Sequence, residues 1–261
     1  MKRVRNIDYI HDFGGIKNTD GKTIKSHLLF RSANLAELTQ EEVEYLANDL
    51  NVKNVIDLRT TDEMQYRSET FISPLIHYHP VSLASNDINP VVTKENRIQV
   101  LNDLVSLPEG MRGHILDLYR YLVSNPQPIE GYKKVFKLLL SNNGSEGYLF
   151  HCTQGKDRTG IVMLLVLTAL GVSEQVITEL YLSFNRRARF KRFMYFIGMN
   201  IRFLSLEKAI ALNDTLTAKK IYLKTALDEI KKTCNSVMDF LYSVIGLTDE
   251  NIKQLRLIYL K

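Results

Sequence analysis

The chain has 261 residues, 45% apolar and 24% charged, the proportions of a globular protein with a sizeable core. Its 34 basic and 29 acidic residues leave a net charge of +5, which suits an anionic substrate and does not require nucleic acid. The apolar run at 161–170 falls far short of the roughly 20 residues a membrane helix needs. Two cysteines make no disulfide framework, and the basic start, Met1–Arg5, lacks the apolar stretch of a signal peptide, so the expectation is a cytoplasmic protein.

In chain order, Asp12–Gly15 and Asn18–Gly21 are turn sequences that bracket a short edge hairpin. Leu28–Arg31 reads as a buried strand that leaves through the loop Ser32-Ala33-Asn34. Thr39 with Glu42 forms a capping box, and Val43, Leu46, Ala47 and Leu50 share one face of the helix it opens. Val52–Ile56 is the next strand. It runs into a polar turn holding Asp57 and Arg59, at the kind of strand end where functional groups of open α/β sheets gather.

Ile76–Leu83 is a further strand candidate whose Pro80 marks an edge or an exit. Ala84–Lys94 is turn-rich. Helices are predicted over His114–Ser124 and Glu130–Ser141, and the turn Asn142-Asn143-Gly144 leads into a central strand, Tyr148-Leu149-Phe150. Ile161–Leu170 is apolar on nearly every side, a helix buried all round and capped by Gly171. Ser173 then caps a helix with Val176, Ile177 and Leu180 inward.

Five of the seven residues from Arg186 to Arg192 are basic, and Phe190, Phe193, Phe196 and Ile197 recur at helical spacing. Within 185–222 this stretch could be a lid, a patch for anionic membrane lipids, or an ordinary amphipathic helix. A long amphipathic helix is predicted over Lys224–Val244, with Cys234 on its apolar face as core. Thr248 opens a last helix carrying Ile252, Leu255 and Ile258. With no internal repeat and no linker, residues 1–261 read as one α/β domain, a mostly parallel sheet flanked by helices.

The strand at 148–150, the polar loop after it and the buried helix behind the loop make an anion site. Loop N–H groups and the positive end of the helix converge on one point. Cys152 stands at the strand's end, where those groups and Arg158 favour a nucleophilic thiolate. Arg158, six positions on, offers a planar fork for two phosphate oxygens. Thr159 adds a hydroxyl that could reach the sulfur, and Gly155 and Gly160 let backbones approach closely. This pattern suggests attack of a thiolate on phosphorus and a cysteinyl-phosphate that water hydrolyses, with no metal or cofactor. Asp157, beside Arg158, and Asp57 are both candidate proton donors, and Asp57 could instead orient Arg158.

His151-Cys152-x5-Arg158-Thr159-Gly160 resembles the phosphate loop of the protein tyrosine phosphatase superfamily. The fuller His-Cys-Thr-Gln-Gly-Lys-Asp-Arg-Thr-Gly is similar to the PtpB-like bacterial tyrosine phosphatases, some of which also act on phosphoinositides and some of which are exported. Asp12-Phe13-Gly14-Gly15, Phe30-Arg31-Ser32, Asp57-Leu58-Arg59-x3-Glu63 and Gly246-Leu-Thr-Asp-Glu resemble further family segments. His11 stands where the family usually has Arg, and Gln154 where it usually has Ala. The resemblance implies a phosphotyrosine phosphatase with Cys152 as nucleophile and Arg158 as phosphate clamp. His151 would hold the loop, while Thr153, Gln154, Gly155, Lys156, Thr159 and Gly160 would line the phosphate site. Lys156 could bind a second phosphate, as in lipid phosphatases, or be a solvated lysine. A phosphoinositide phosphatase and a non-catalytic phosphate-binding module are the alternatives.

Overall fold

The computed structural model describes residues 9–68, 74–93, 95–106, 110–187, 210 and 213–261. Its centre is a five-stranded sheet of β1 (Ile10–Asp12), β2 (Leu29–Ser32), β3 (Val52–Asp57), β4 (His77–Pro80) and β5 (Gly147–His151), ordered β1-β2-β5-β3-β4. β1 runs antiparallel to β2 and every other pairing is parallel. This is the mostly parallel α/β sheet that the sequence predicts. β5 lies in the middle with every residue buried, which explains why it reads as a continuous apolar run. β4 is an edge strand, where Pro80 is tolerated.

Alternate side chains of the strands feed two cores. Phe30, Val55 and Leu149 join one, covered by α1 (Gln40–Glu44) and the π-helical turn Tyr45–Asp49 through Val43, Leu46 and Ala47. The predicted Thr39–Glu42 capping box opens α1. α2 (Thr61–Tyr66) follows β3, and α3 (Arg97–Val105) follows β4. The larger core takes Leu29, Ile56, Tyr148 and Phe150, with side chains from α4 (Gly110–Ser124), α5 (Pro126–Leu140) and α6 (Asp157–Ala169). α6 is buried on all sides, as its composition predicts, and Gly171 just beyond it takes a φ of +82°. α7 (Glu174–Arg187), α8 (Lys220–Ile230), α9 (Val237–Ser243) and α10 (Asp249–Tyr259) complete the described elements.

Several expectations change. The strand expected over Ile76–Leu83 contracts to β4. α5 starts earlier than predicted because Asn125 caps it and Pro126 takes its first position. The helix expected over Lys224–Val244 is two helices. α8 stops at Ile230, and Ser236 accepts a hydrogen bond from the Asp239 N–H at 3.0 Å, which starts α9 afresh. Cys234 is buried in the core as expected, but in the break between the helices. Most of the 185–222 segment, including Lys191 and Arg192, lies outside the described residues. Among the described residues no helix is long and apolar enough to cross a membrane.

Candidate active site

The register of the sheet assembles the site. His151 pairs with Ser32 of β2 on one side and Asp57 of β3 on the other, so three strands end at one level. The loop Cys152–Lys156 leaves this end and enters α6. Its β2 side is fastened by Asn34, whose backbone N–H and Nδ2 both donate to the Thr153 carbonyl, at 3.2 and 3.1 Å. Arg31, fully buried beneath the Tyr9 ring, donates to the Gly155 carbonyl. Gly155 has a φ of +71°, and a Cβ there would overlap the Ser32 carbonyl, so the close approach requires glycine. With the loop pinned this way, the Gly155 N–H donates to the Cys152 sulfur at 3.2 Å. The sulfur belongs to a residue only 2% exposed.

Arg158, in the first turn of α6, is held by Glu63 of α2. Its Nη1 and Nη2 donate to the two carboxylate oxygens at 2.5 and 3.0 Å. Thr153 Oγ1 donates to the same carboxylate and accepts from Nη2 at 3.3 Å. Glu63 therefore occupies the outer end of the guanidinium and leaves its Nε side uncommitted among the described residues. Burial works against the charge on Arg158, but the Glu63 carboxylate, Cys152 and Asp157 outweigh it and raise the pKa. Burial also opposes the Glu63 charge, and Arg158 reverses this, lowering that pKa. Each ion keeps the other charged.

The two candidate carboxylates have different surroundings. Asp57 is wholly buried, and all its strong contacts are to Arg59 and Tyr78, not to Arg158. Burial would raise its pKa, but His151, Arg59 and the Tyr78 hydroxyl bring it down to about 2. The expectation that Asp57 orients Arg158 is corrected: Glu63 does that, and Asp57 fastens Arg59. Asp157 opens α6 with a side chain 20% exposed, its Oδ1 accepting from the Tyr119 hydroxyl at 2.7 Å.

The family model described as Tyrosine phosphatase family matches residues 3–261. The chain belongs to the tyrosine phosphatase family. It is 30% identical over 184 residues to a protein of Cupriavidus necator named "Putative tyrosine-protein phosphatase", a match covering 69% of this chain and 62% of that one. A tyrosine-protein phosphatase of Nostoc commune is 30% identical over 60% of this chain and 48% of its own length. The triple specificity protein phosphatase PtpB of Mycobacterium tuberculosis is 25% identical over 97% of this chain and 98% of its own. Against the first two relatives, then, the match spans about half to three fifths of their length.

Within this tyrosine phosphatase fold, the remaining predicted residues take up positions that the sequence left open. His151 is fully buried, its Nδ1 3.4 Å from the Cys152 carbonyl oxygen and its Nε2 3.8 Å from Asp57. Lys156 is not solvated. It is 1% exposed, its ammonium bonds the Thr215 carbonyl and lies 3.5 Å from that of Asp214, and the Tyr222 ring lies 5.6 Å from it. Burial lowers its pKa, opposed by Asp157. The Thr159 hydroxyl, expected to reach the sulfur, is buried without a hydrogen-bond partner among the described residues, and so is Gln154 Oε1. Gly160 lies against the Tyr181 ring, where a Cβ would come within 3.1 Å.

Two contacts to the loop, from Glu63 and Tyr119, are not legible in the loop motif itself. Glu63 carries a local signal, since Thr60-Thr61-Asp62-Glu63 is a capping box, and Glu63 Oε2 accepts from the Thr60 N–H at 2.8 Å. Nothing in that pattern names Arg158 as its second partner. Tyr119 carries no signal beyond one more aromatic on the buried face of α4.

Proposed function

We propose that this chain hydrolyses phosphotyrosine in proteins through a cysteinyl-phosphate intermediate. The observation that carries the reading is one loop in which the Cys152 sulfur, an inward N–H and the uncommitted side of Arg158 meet at the N-terminus of a buried helix. Cys152 as thiolate attacks phosphorus, and the S–P bond forms as the P–O bond to the tyrosyl oxygen breaks. The leaving oxygen takes the electron pair and a proton from Asp157. Water, giving its proton to the Asp157 carboxylate, then attacks phosphorus; the P–S bond breaks, releasing phosphate and restoring the thiolate.

Asp157 is favoured over Asp57 as the acid because its carboxyl is partly exposed at the loop, whereas Asp57 is sealed into an ion pair that keeps it deprotonated. The phosphoinositide reading drew on Lys156 facing a second phosphate and on the basic segment at 186–192, most of which lies outside the described residues. With that ammonium committed to backbone carbonyls, tyrosine phosphate takes first place. The test measures turnover of a phosphotyrosine peptide and of phosphatidylinositol phosphates, with a chelator present, for wild type and Cys152→Ser. We expect peptide turnover that survives the chelator and disappears in the variant while phosphate-analogue binding persists. Near-normal turnover by Cys152→Ser would remove the nucleophile. Faster turnover of the lipids than of the peptide would make the phosphoinositides the substrate class.

A further inference from the structure

Behind Asp157 lies a chain of hydroxyls that the loop motif does not contain. The Tyr119 hydroxyl of α4 donates to Asp157 Oδ1 at 2.7 Å. The Tyr119 and Tyr181 hydroxyls are 2.6 Å apart, and because the single proton of Tyr119 goes to Asp157, Tyr181 of α7 is the donor to Tyr119. Both residues are 0% exposed. Their rings meet edge to face at 6.4 Å, and Tyr119 also packs on Tyr222 at 5.7 Å. Burial first, and the Asp157 charge second, push both phenol pKa values up, so both keep their protons and act as donors. Gly160 lets this arrangement exist: a side chain there would press on the Tyr181 ring, which lies against the first turn of α6.

Lys156 approaches the same oxygen, its Nζ 3.5 Å from Asp157 Oδ1. Oδ1 is thus engaged from two sides, and no described residue bonds to Oδ2. We infer that Tyr119, backed by Tyr181, is a positioning residue that fixes the Asp157 carboxyl so that Oδ2 carries the proton delivered to the leaving group. A carboxyl whose Oδ1 accepts from a phenol and faces an ammonium takes its proton on the other oxygen. The hydroxyl chain also removes the rotation that would let the two oxygens exchange. The inference rests on Asp157 acting as the general acid. It adds that three helices, α4, α6 and α7, jointly set the acid's orientation.

The experiment compares Tyr119→Phe and Tyr181→Phe with wild type on a series of aryl phosphates of graded leaving-group acidity, alone and in an Asp157→Asn background. As the proton leaves Oδ2 the Asp157 carboxyl becomes charged, and a hydrogen bond to that developing charge is worth enough for Tyr119→Phe to lose about tenfold in kcat on phenyl phosphate and phosphotyrosine. The KM should stay put, and the most activated phosphate, which needs no proton, should turn over at a rate within about twofold of wild type. Tyr181→Phe should shift in the same direction by less, and it carries the test if Tyr119→Phe does not fold. In the Asp157→Asn background neither change should cost anything further.

A loss blind to the leaving group, or one that persists undiminished without the Asp157 acid, would mean that the tyrosines only support the fold and would overturn the inference alone. Absence of turnover by wild type on every aryl phosphate would overturn the phosphatase reading and this inference with it.

Discussion

Replacing Glu63 with Gln takes one negative charge from beneath Arg158 while changing little else. Glutamine serves at the third position of a capping box, so the start of α2 should survive. The amide oxygen can still accept one hydrogen bond from Arg158, but the NH2 group now faces the second guanidinium nitrogen, donor against donor. Breaking a buried ion pair by removing one partner costs about 3–5 kcal/mol, and the retained hydrogen bond offsets about 1, so the expected loss is about 2–4 kcal/mol. For a chain of this size that corresponds to a fall in Tm of about 5–15 °C.

Arg158 would also lose its fixed orientation, and a misplacement on the order of 1 Å costs about 10²-fold in kcat/KM. Inorganic phosphate offers the stranded guanidinium a new partner, so it should raise the Tm of Glu63→Gln more than that of wild type. Thermal melts with and without phosphate, together with steady-state kinetics on a phosphotyrosine peptide, read all three effects. A variant that melts within about 1 °C of wild type and keeps its kcat/KM would refute the claim that Glu63 holds the clamp.

Arg158→Lys should lose most turnover, since an ammonium cannot reproduce a planar fork shared between Glu63 and a phosphate; wild-type kinetics in that variant would sink the clamp. Gly155→Ala should destabilise the protein and abolish activity together, because the new Cβ must displace the Ser32 carbonyl at a φ of +71°; an unchanged melting curve would show that the loop yields there. For Asp57, a folded pKa of about 2 against an ordinary 3.8 makes its contribution, about 2–3 kcal/mol, present above pH 4 and lost as pH falls toward 2. Asp57→Asn should therefore be less stable than wild type at neutral pH, with the gap closing between about pH 4 and pH 2 in urea denaturation at a series of pH values. A gap independent of pH would mean that the carboxylate charge is not what matters.

Local sequence was enough for features whose causes are local. The apolar run of β5, the all-round apolar α6, the glycine at its end and the Thr39 and Thr248 caps each follow from neighbours within a few residues, so the strand–loop–helix unit and the position of Cys152 and Arg158 on it were legible. The break at Lys231–Ser236 was missed because apolar spacing continued through it, while the local cap of Ser236 and Asp239 outweighed that spacing.

Which charge faces which was decided elsewhere. Asp57 and Glu63 lie six residues apart on either side of one turn, yet one serves Arg59 and the other Arg158, because β3 pairs in register with β5 and thereby brings the start of α2 over the loop. Lys156 reads as either a solvated lysine or a ligand for a second phosphate until residues 214 and 215 supply carbonyls for its ammonium, and Tyr119 as plain core until α6 brings Asp157 to its hydroxyl. Burial makes an unpartnered charge or hydroxyl costly, so each such group takes the nearest partner the packed elements offer. For Tyr119, Lys156 and Glu63 those partners lie 38 to 95 residues away along the chain, beyond the reach of any local pattern.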